Sequence, residues 1–162
     1  MKTALLLCLA ILSLTPIVHA DQVINYPADK PIFSISFPDG WDVEIGEESV
    51  SAASPDELVN MELIALDAGE IATAIDDAKE GLEEELKGIK WTKPETGELN
   101  GFKVTFLNGN VTTEGVKLAV NCAVFAPKGG ETFFMLFNAI PLVALEQHGG
   151  DVSKVLNSIK GK

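Results

Sequence analysis

The chain has 162 residues, with 24 acidic side chains against 12 basic ones, all lysine, for a formal net charge of −12. Without guanidinium forks, and with a surface that repels polyanions, nucleic acid is excluded as a natural partner. An anionic membrane surface is disfavoured as well, unless divalent cations bridge it.

Lys2, the apolar stretch Ala4 to Leu14, Pro16 and Val18-His19-Ala20 read as a secretory signal peptide over residues 1–20, cut between Ala20 and Asp21. A membrane anchor would need about 18 unbroken apolar residues, and Pro16 interrupts the run. Leu7 is too bulky for the position before a lipid-bearing Cys8. The remaining 142 residues hold 11 lysines and 24 acids, a charge of −13. That length makes one domain, which buries roughly two-thirds of its unfolded surface. Cys122 is then the only cysteine, so no intramolecular disulfide forms, and its apolar neighbours predict a buried thiol.

Residues 21–30 are expected to form a mobile N-terminal arm ahead of a domain over 31–162. Pro31 to Phe37 alternates apolar and small polar residues, as a strand does. Pro38-Asp39-Gly40 then predicts a hairpin-like reversal, with Trp41 restarting the chain. Glu48 to Ala53 and Leu58 to Leu66 read as strands about the turn Ser54-Pro55-Asp56. Asp67 and Glu70 have capping-box spacing before a helix whose apolar face is Ile71, Ile75, Ala78, Leu82, Leu86 and Ile89, with Gly88 near its end. Gly81 inside this helix is expected to permit close packing on a sheet.

From Gly101 a meander of long strands is expected, Phe102 to Thr113, Val116 to Ala126 and Glu131 to Ile140, with turns at Glu114-Gly115 and Pro127 to Gly130. Gly109 reads as a bulge or turn residue. The second and third of these strands are apolar on both faces, so helices must cover the sheet on each side. Pro141 opens a short helix from Leu142 to His148, Gly149-Gly150 breaks it, and Asp151 caps a last helix carrying Val152, Val155, Leu156 and Ile159.

The run of FSISFPDGWDV, SAASPDE, a long helix, ELNGFKVTFLNGNVTTEGVKLAV, GGETFFMLFNA and HGGDVSKVLNSIK resembles the PsbP-like superfamily, which includes photosystem II extrinsic proteins and DcrB-like bacterial envelope proteins. The resemblance covers nearly all of residues 31–162. It implies an α+β fold, an antiparallel sheet sandwiched between helices (α/β/α), in a family rich in binding proteins. No metal-ligand set of the family maps onto this chain, whose only histidine after the leader is His148.

No nucleophile motif, zinc-binding histidine pair or phosphate-cradling glycine loop is present, and no catalytic residue, cofactor or metal ligand is expected. His148 beside Gly149-Gly150 reads as an exposed residue at a helix end. The candidate binding features are an acidic helix face, Asp76, Glu80, Glu83 and Glu84, with Glu83 spaced to pair with Lys87, and two aromatics that could contact a ligand, Trp41 and Trp91. Helix carboxylates diverge, whereas calcium wants about six to eight converging oxygens. The expectation is a non-enzymatic periplasmic or secreted protein that binds another envelope protein or assists assembly; the alternative is a small-ligand or metal-ion carrier. An enzyme using two carboxylates would need them to converge in a cleft.

Overall fold

The computed structural model describes residues 21–127 and 132–162; the expected leader, the Ala20 side of its cleavage bond and most of the expected Pro127 to Gly130 turn lie outside these residues. Strand β1 (Gln22–Tyr26) pairs antiparallel with β2 (Phe33–Phe37) over its whole length, so the expected mobile arm is largely a strand. Tyr26 holds it there, with ring centroids 5.9 Å from Phe33 and 6.0 Å from Phe134. One aromatic anchor buried at a strand end leaves little periodicity in the sequence. Strand β11 (Lys160–Gly161) adds to the other edge of β2, closing a three-stranded sheet.

Pro38 to Trp41 is a turn, with Gly40 at φ +81° and Trp41 N–H donating to the Pro38 carbonyl at 3.3 Å. It is not a hairpin. The strand that follows, β3 (Asp42–Ile45), belongs to a second sheet, because Trp41 stacks on Phe37 in the core and steers the chain away from β2. Strand β3 pairs with β4 (Ser49–Ala53), and β4 with β5 (Asn60–Leu66).

Helix α1 (Ile71–Glu85) buries Ala74, Ala78 and Leu82. The capping box does not form: Glu70 occupies the N-cap position with no side-chain cap bond, so Asp67 lies outside the helix. Gly88, at φ +85°, follows the helix end, and Ile89 is buried from outside it as the chain enters β6 (Lys90–Trp91). Gly81 is exposed, with nothing within 4 Å of a built Cβ, so it serves no close approach to the sheet.

Strand β7 (Glu95–Leu99), unanticipated because its polar sequence lacks alternation, pairs with β8 (Phe102–Thr113) through the two-residue turn Asn100-Gly101. Both turn residues have positive φ, +50° and +89°, as a right-twisted hairpin requires. Strand β9 (Val116–Phe125) follows the same kind of turn at Glu114-Gly115 and pairs with β10 (Phe133–Pro141). The large antiparallel sheet runs β3-β4-β5-β10-β9-β8-β6, with β7 also on β8.

Its two faces are both covered, as the two-faced strands require. Met135, Val120, Cys122 and Val124 pack beneath α1, while Phe134, Leu136, Ala123 and Phe125 face the three-stranded sheet and the C-terminal helix. That helix is α2 (Leu145–Ser158), entered through a 3₁₀ turn at Leu142–Ala144. It runs unbroken through Gly149-Gly150, against expectation. Packing on β2 and β10 outweighs the roughly 1 kcal/mol that each helical glycine costs against alanine. The second layer is thus shared between α2 and the small sheet, whose Phe33 ring lies 5.5 Å from Phe125 and 5.0 Å from Phe134.

Gly109 is neither bulge nor turn. It sits within β8, and a Cβ there would meet Ile89 Cγ2 at 2.8 Å and Trp91 Cε3 at 3.0 Å, so its bare backbone is what lets β6 pack. Gly109→Ala is expected to destabilise by about 1–3 kcal/mol through overpacking. Gly81→Ala, at an open helical position, is expected to stabilise by about 1 kcal/mol. Urea denaturation of the two variants reads both signs.

Candidate functional site

Between the large sheet and α2 lies a half-open cleft of about 260 Å³. Its walls include Met61, Phe106, Ile140, Leu145, Val152 and Leu156. Its floor is polar. Asn108 stands directly opposite Asn121 in the β8–β9 ladder, and Asn121 directly opposite Asn138 in the β9–β10 ladder, so three carboxamides lie side by side across three strands. All three line the cleft, and no charged side chain does.

The row is only partly satisfied by itself. Asn121 Nδ2 donates to Asn138 Oδ1 at 3.0 Å, while the Asn108 carboxamide has no partner among the described residues. No fully buried side-chain N or O atom there lacks a partner, so the unused amide atoms reach solvent through the cleft. Reversing both amides of the bonded pair leaves the same kinds of group free, one donor end and one acceptor end. Sequence reasoning missed these residues. The signal was present for one pair: counting back from the Glu114-Gly115 turn brings Asn108 opposite Asn121.

The roof of the cleft is fixed by polar clasps at both ends of α2. Near its start, His148 is 6% exposed and contacts Asp56 through Nε2 at 2.9 Å, correcting the expectation of an exposed histidine. A carboxylate only accepts, so Nε2 carries the proton in this bond. Gln147 Nε2 donates to the same oxygen at 3.2 Å. Asp56 in turn accepts from the Ser54 hydroxyl at 2.7 Å and the Leu58 N–H at 3.3 Å. Ser54, Asp56 and His148 are thus joined with the carboxylate in the middle. A nucleophilic serine would have to bond the imidazole, so this order holds a loop against a helix and does not activate Ser54. At the other end Ser158 Oγ accepts from Ser36 N–H at 2.7 Å, and Asn100 Nδ2 donates to the carbonyls of Asn157 and Ile159, each at 2.8 Å.

The residues singled out from the sequence lie elsewhere. Trp41 is buried in the core against Phe37, with centroids 6.5 Å apart, and its carbonyl accepts from Gln22 Nε2. Trp91 donates its indole N–H to Glu83 Oε1 at 2.7 Å, which ties α1 to β6 and engages Glu83 with the indole. Neither tryptophan lines the cleft. Asp76, Glu80, Glu83 and Glu84 are exposed along α1, across the sheet from α2. No cluster of three or more potential metal ligands occurs among the described residues. Cys122 is a buried free thiol pushed up to about 12 by desolvation.

No protein-family model matches the sequence, and none of the curated proteins does. Solved structures do match. Cyanobacterial PsbP from Synechocystis superposes with a TM-score of 0.67 at 11% identity, over 94% of this chain and 99% of that one. LpqN of Mycobacterium tuberculosis, described as involved in cell envelope biogenesis, gives 0.59 at 16% identity over 86% of this chain and 90% of its own. A Bacteroides thetaiotaomicron protein gives 0.56 at 14% identity over 80% of this chain, which spans only 45% of that protein. The fold is PsbP-like, an antiparallel α+β architecture. Identities this low carry fold and not activity.

The Asp56 carboxyl is held below the usual carboxylate range, chiefly by the Ser54 hydroxyl, against an opposing effect of desolvation second in size, with the Leu58 N–H and His148 adding to the lowering. A carboxyl lowered in the folded state stabilises fully above its ordinary pKa, and that stabilisation is lost as pH falls through the lowered value. Acid unfolding is therefore expected to be less steep in Asp56→Asn than in the parent. Parallel melting curves between pH 7 and pH 2 check this; coincident pH dependence would show that the clasp contributes nothing.

Proposed function

We propose that this PsbP-like chain is an extracytoplasmic, non-enzymatic binding protein that holds another envelope component in the cleft beneath α2. One observation carries the reading: an uncharged apolar cavity has a floor of three aligned carboxamides whose hydrogen-bonding capacity the protein itself leaves partly unused. Pockets of this kind, apolar with a few placed polar groups, are the usual form of small-ligand sites. The Ser54-Asp56-His148 order supports a structural rather than a reactive role for the histidine.

The leader-like residues 1–20 support export. No helix of the described residues is long and apolar enough to cross a membrane. The neighbouring fold of LpqN, involved in cell envelope biogenesis, supports an envelope setting. A second reading, docking of an envelope protein partner in an assembly role, has its own observation. Val143 is 94% exposed and Leu142 is exposed beside it, an apolar ridge where β10 turns into α2.

A photocrosslinking side chain placed at Ser153 on the cleft rim, at Val143 on the ridge, or at Glu84 on the acidic helix separates these sites in the native envelope. The expected result is a covalent adduct from Ser153 whose captured component is recovered chemically unchanged. Adducts from Val143 or Glu84 alone would overturn the cleft reading in favour of protein docking. A captured component recovered in converted form would overturn the non-enzymatic one.

A further inference from the structure

We infer that the cleft beneath α2 selects neutral ligands in which an amide group is attached to a small apolar body. The inference rests on the cleft being the binding site and adds the chemistry of what it takes. Asn138 is 4% exposed, sits at the centre of the sheet, and uses one end of its carboxamide on Asn121; the other end opens only toward the cleft. Asparagine is disfavoured in strands, and an amide left unpaired in an apolar setting costs about 1–3 kcal/mol, so a strand staple alone would be served by one bonded pair. Asn108 exceeds that need. It extends the row by one strand spacing, about 4.8 Å, and brings a complete unpaired carboxamide to the floor.

The free groups of the row comprise both donors and acceptors, in either amide orientation. Their complement is a ligand group that presents an acceptor and a donor side by side on one carbon, which is what an amide does. An ester or ether offers acceptors only. Charged ligands are disfavoured because no lining side chain is charged and desolvating an unpaired ion is costly. The walls of Phe106, Leu145, Val152 and Leu156 take the apolar body. The enclosed part of the cleft, about 260 Å³, suits a body of the size of a single amino-acid side chain.

An amide of this kind comes from an N-acylated apolar amino acid or amine, whereas an N-acetylated sugar carries the same amide on a hydroxylated body that the apolar wall does not complement. ¹⁵N-labelled protein as exported is titrated with N-(3-methylbutyl)acetamide, with its ester isostere 3-methylbutyl acetate, which lacks the N–H, with N-acetyl-leucine, which adds a carboxylate, and with N-acetylglucosamine. The expected result is movement of the Asn108, Asn121 and Asn138 side-chain NH₂ resonances with the apolar amide. Tighter binding of N-acetylglucosamine than of the apolar amide would overturn the inference. Affinity is expected to fall about tenfold or more for the ester, for the carboxylate, and for Asn108→Ala, a change that removes no described hydrogen bond of that side chain.

Gly149 lines the cleft with nothing within 4 Å of a built Cβ, so Gly149→Phe is expected to abolish binding while Gly149→Ala keeps the fold. Equal affinity for amide and ester, shifts confined to residues away from the row, or no binding of the apolar amide would overturn the inference. The cleft reading fails separately, by the absence of a crosslink at Ser153.

Discussion

Strands β8, β9 and β10 bury hydrocarbon on both faces, and the rest of the architecture follows from that constraint. A sheet of this kind is stable only when each face is covered. One cover is α1, whose Ala74 and Ala78 are small enough to let Leu82 and the helix backbone lie close to Cys122 and Val124. The other combines α2 with the small sheet of β1, β2 and β11, and its aromatic cluster of Tyr26, Phe33, Phe125 and Phe134 locks the two sheets edge to face. With no disulfide among the described residues and Cys122 a buried free thiol, this packing carries the stability.

The cleft exists because the covering of the second face is incomplete at one place. The small sheet fills the space over Phe125 and Phe134, and α2 spans the space over Leu136 and Ile140. In the part that α2 spans, the large sheet presents carboxamides instead of methyl groups, and α2 presents Gly149 instead of a side chain. The helix is held over this gap by the apolar contacts of Val152, Val155 and Leu156 and by bonds from its ends: His148 and Gln147 to Asp56, Ser158 to Ser36, and Asn100 to the last carbonyls. The turn residue Asn100 has two duties, since its positive φ makes the β7–β8 hairpin while its side chain caps α2.

The fold is shared with cyanobacterial PsbP and with LpqN, at identities of 11% and 16%. What such chains share is the layered solution to a two-faced sheet. A site grafted onto that frame belongs to the particular residues lining it, and here those are the three asparagines and the apolar wall facing them.

The sequence by itself determined the elements whose signals are local. Apolar residues on two faces marked β9 and β10, the 3.6-residue period marked α1, and Glu114-Gly115 marked a turn whose positive φ those residues tolerate. Covering layers followed from the same two-sided pattern, and the PsbP-like arrangement from the order of elements. Tertiary structure alone decided the remainder, because the energies involved come from residues far apart in the chain. Tyr26 turns residues 22–26 into a strand only through Phe33 and Phe134, and α2 survives two glycines only through its contacts with β2 and β10. The asparagine row, likewise, needs two ladder registers at once. One is readable from a hairpin turn, but the β9–β10 register joins strands whose alignment is set by packing, and that pairing brings Asn138 beside Asn121 under α2.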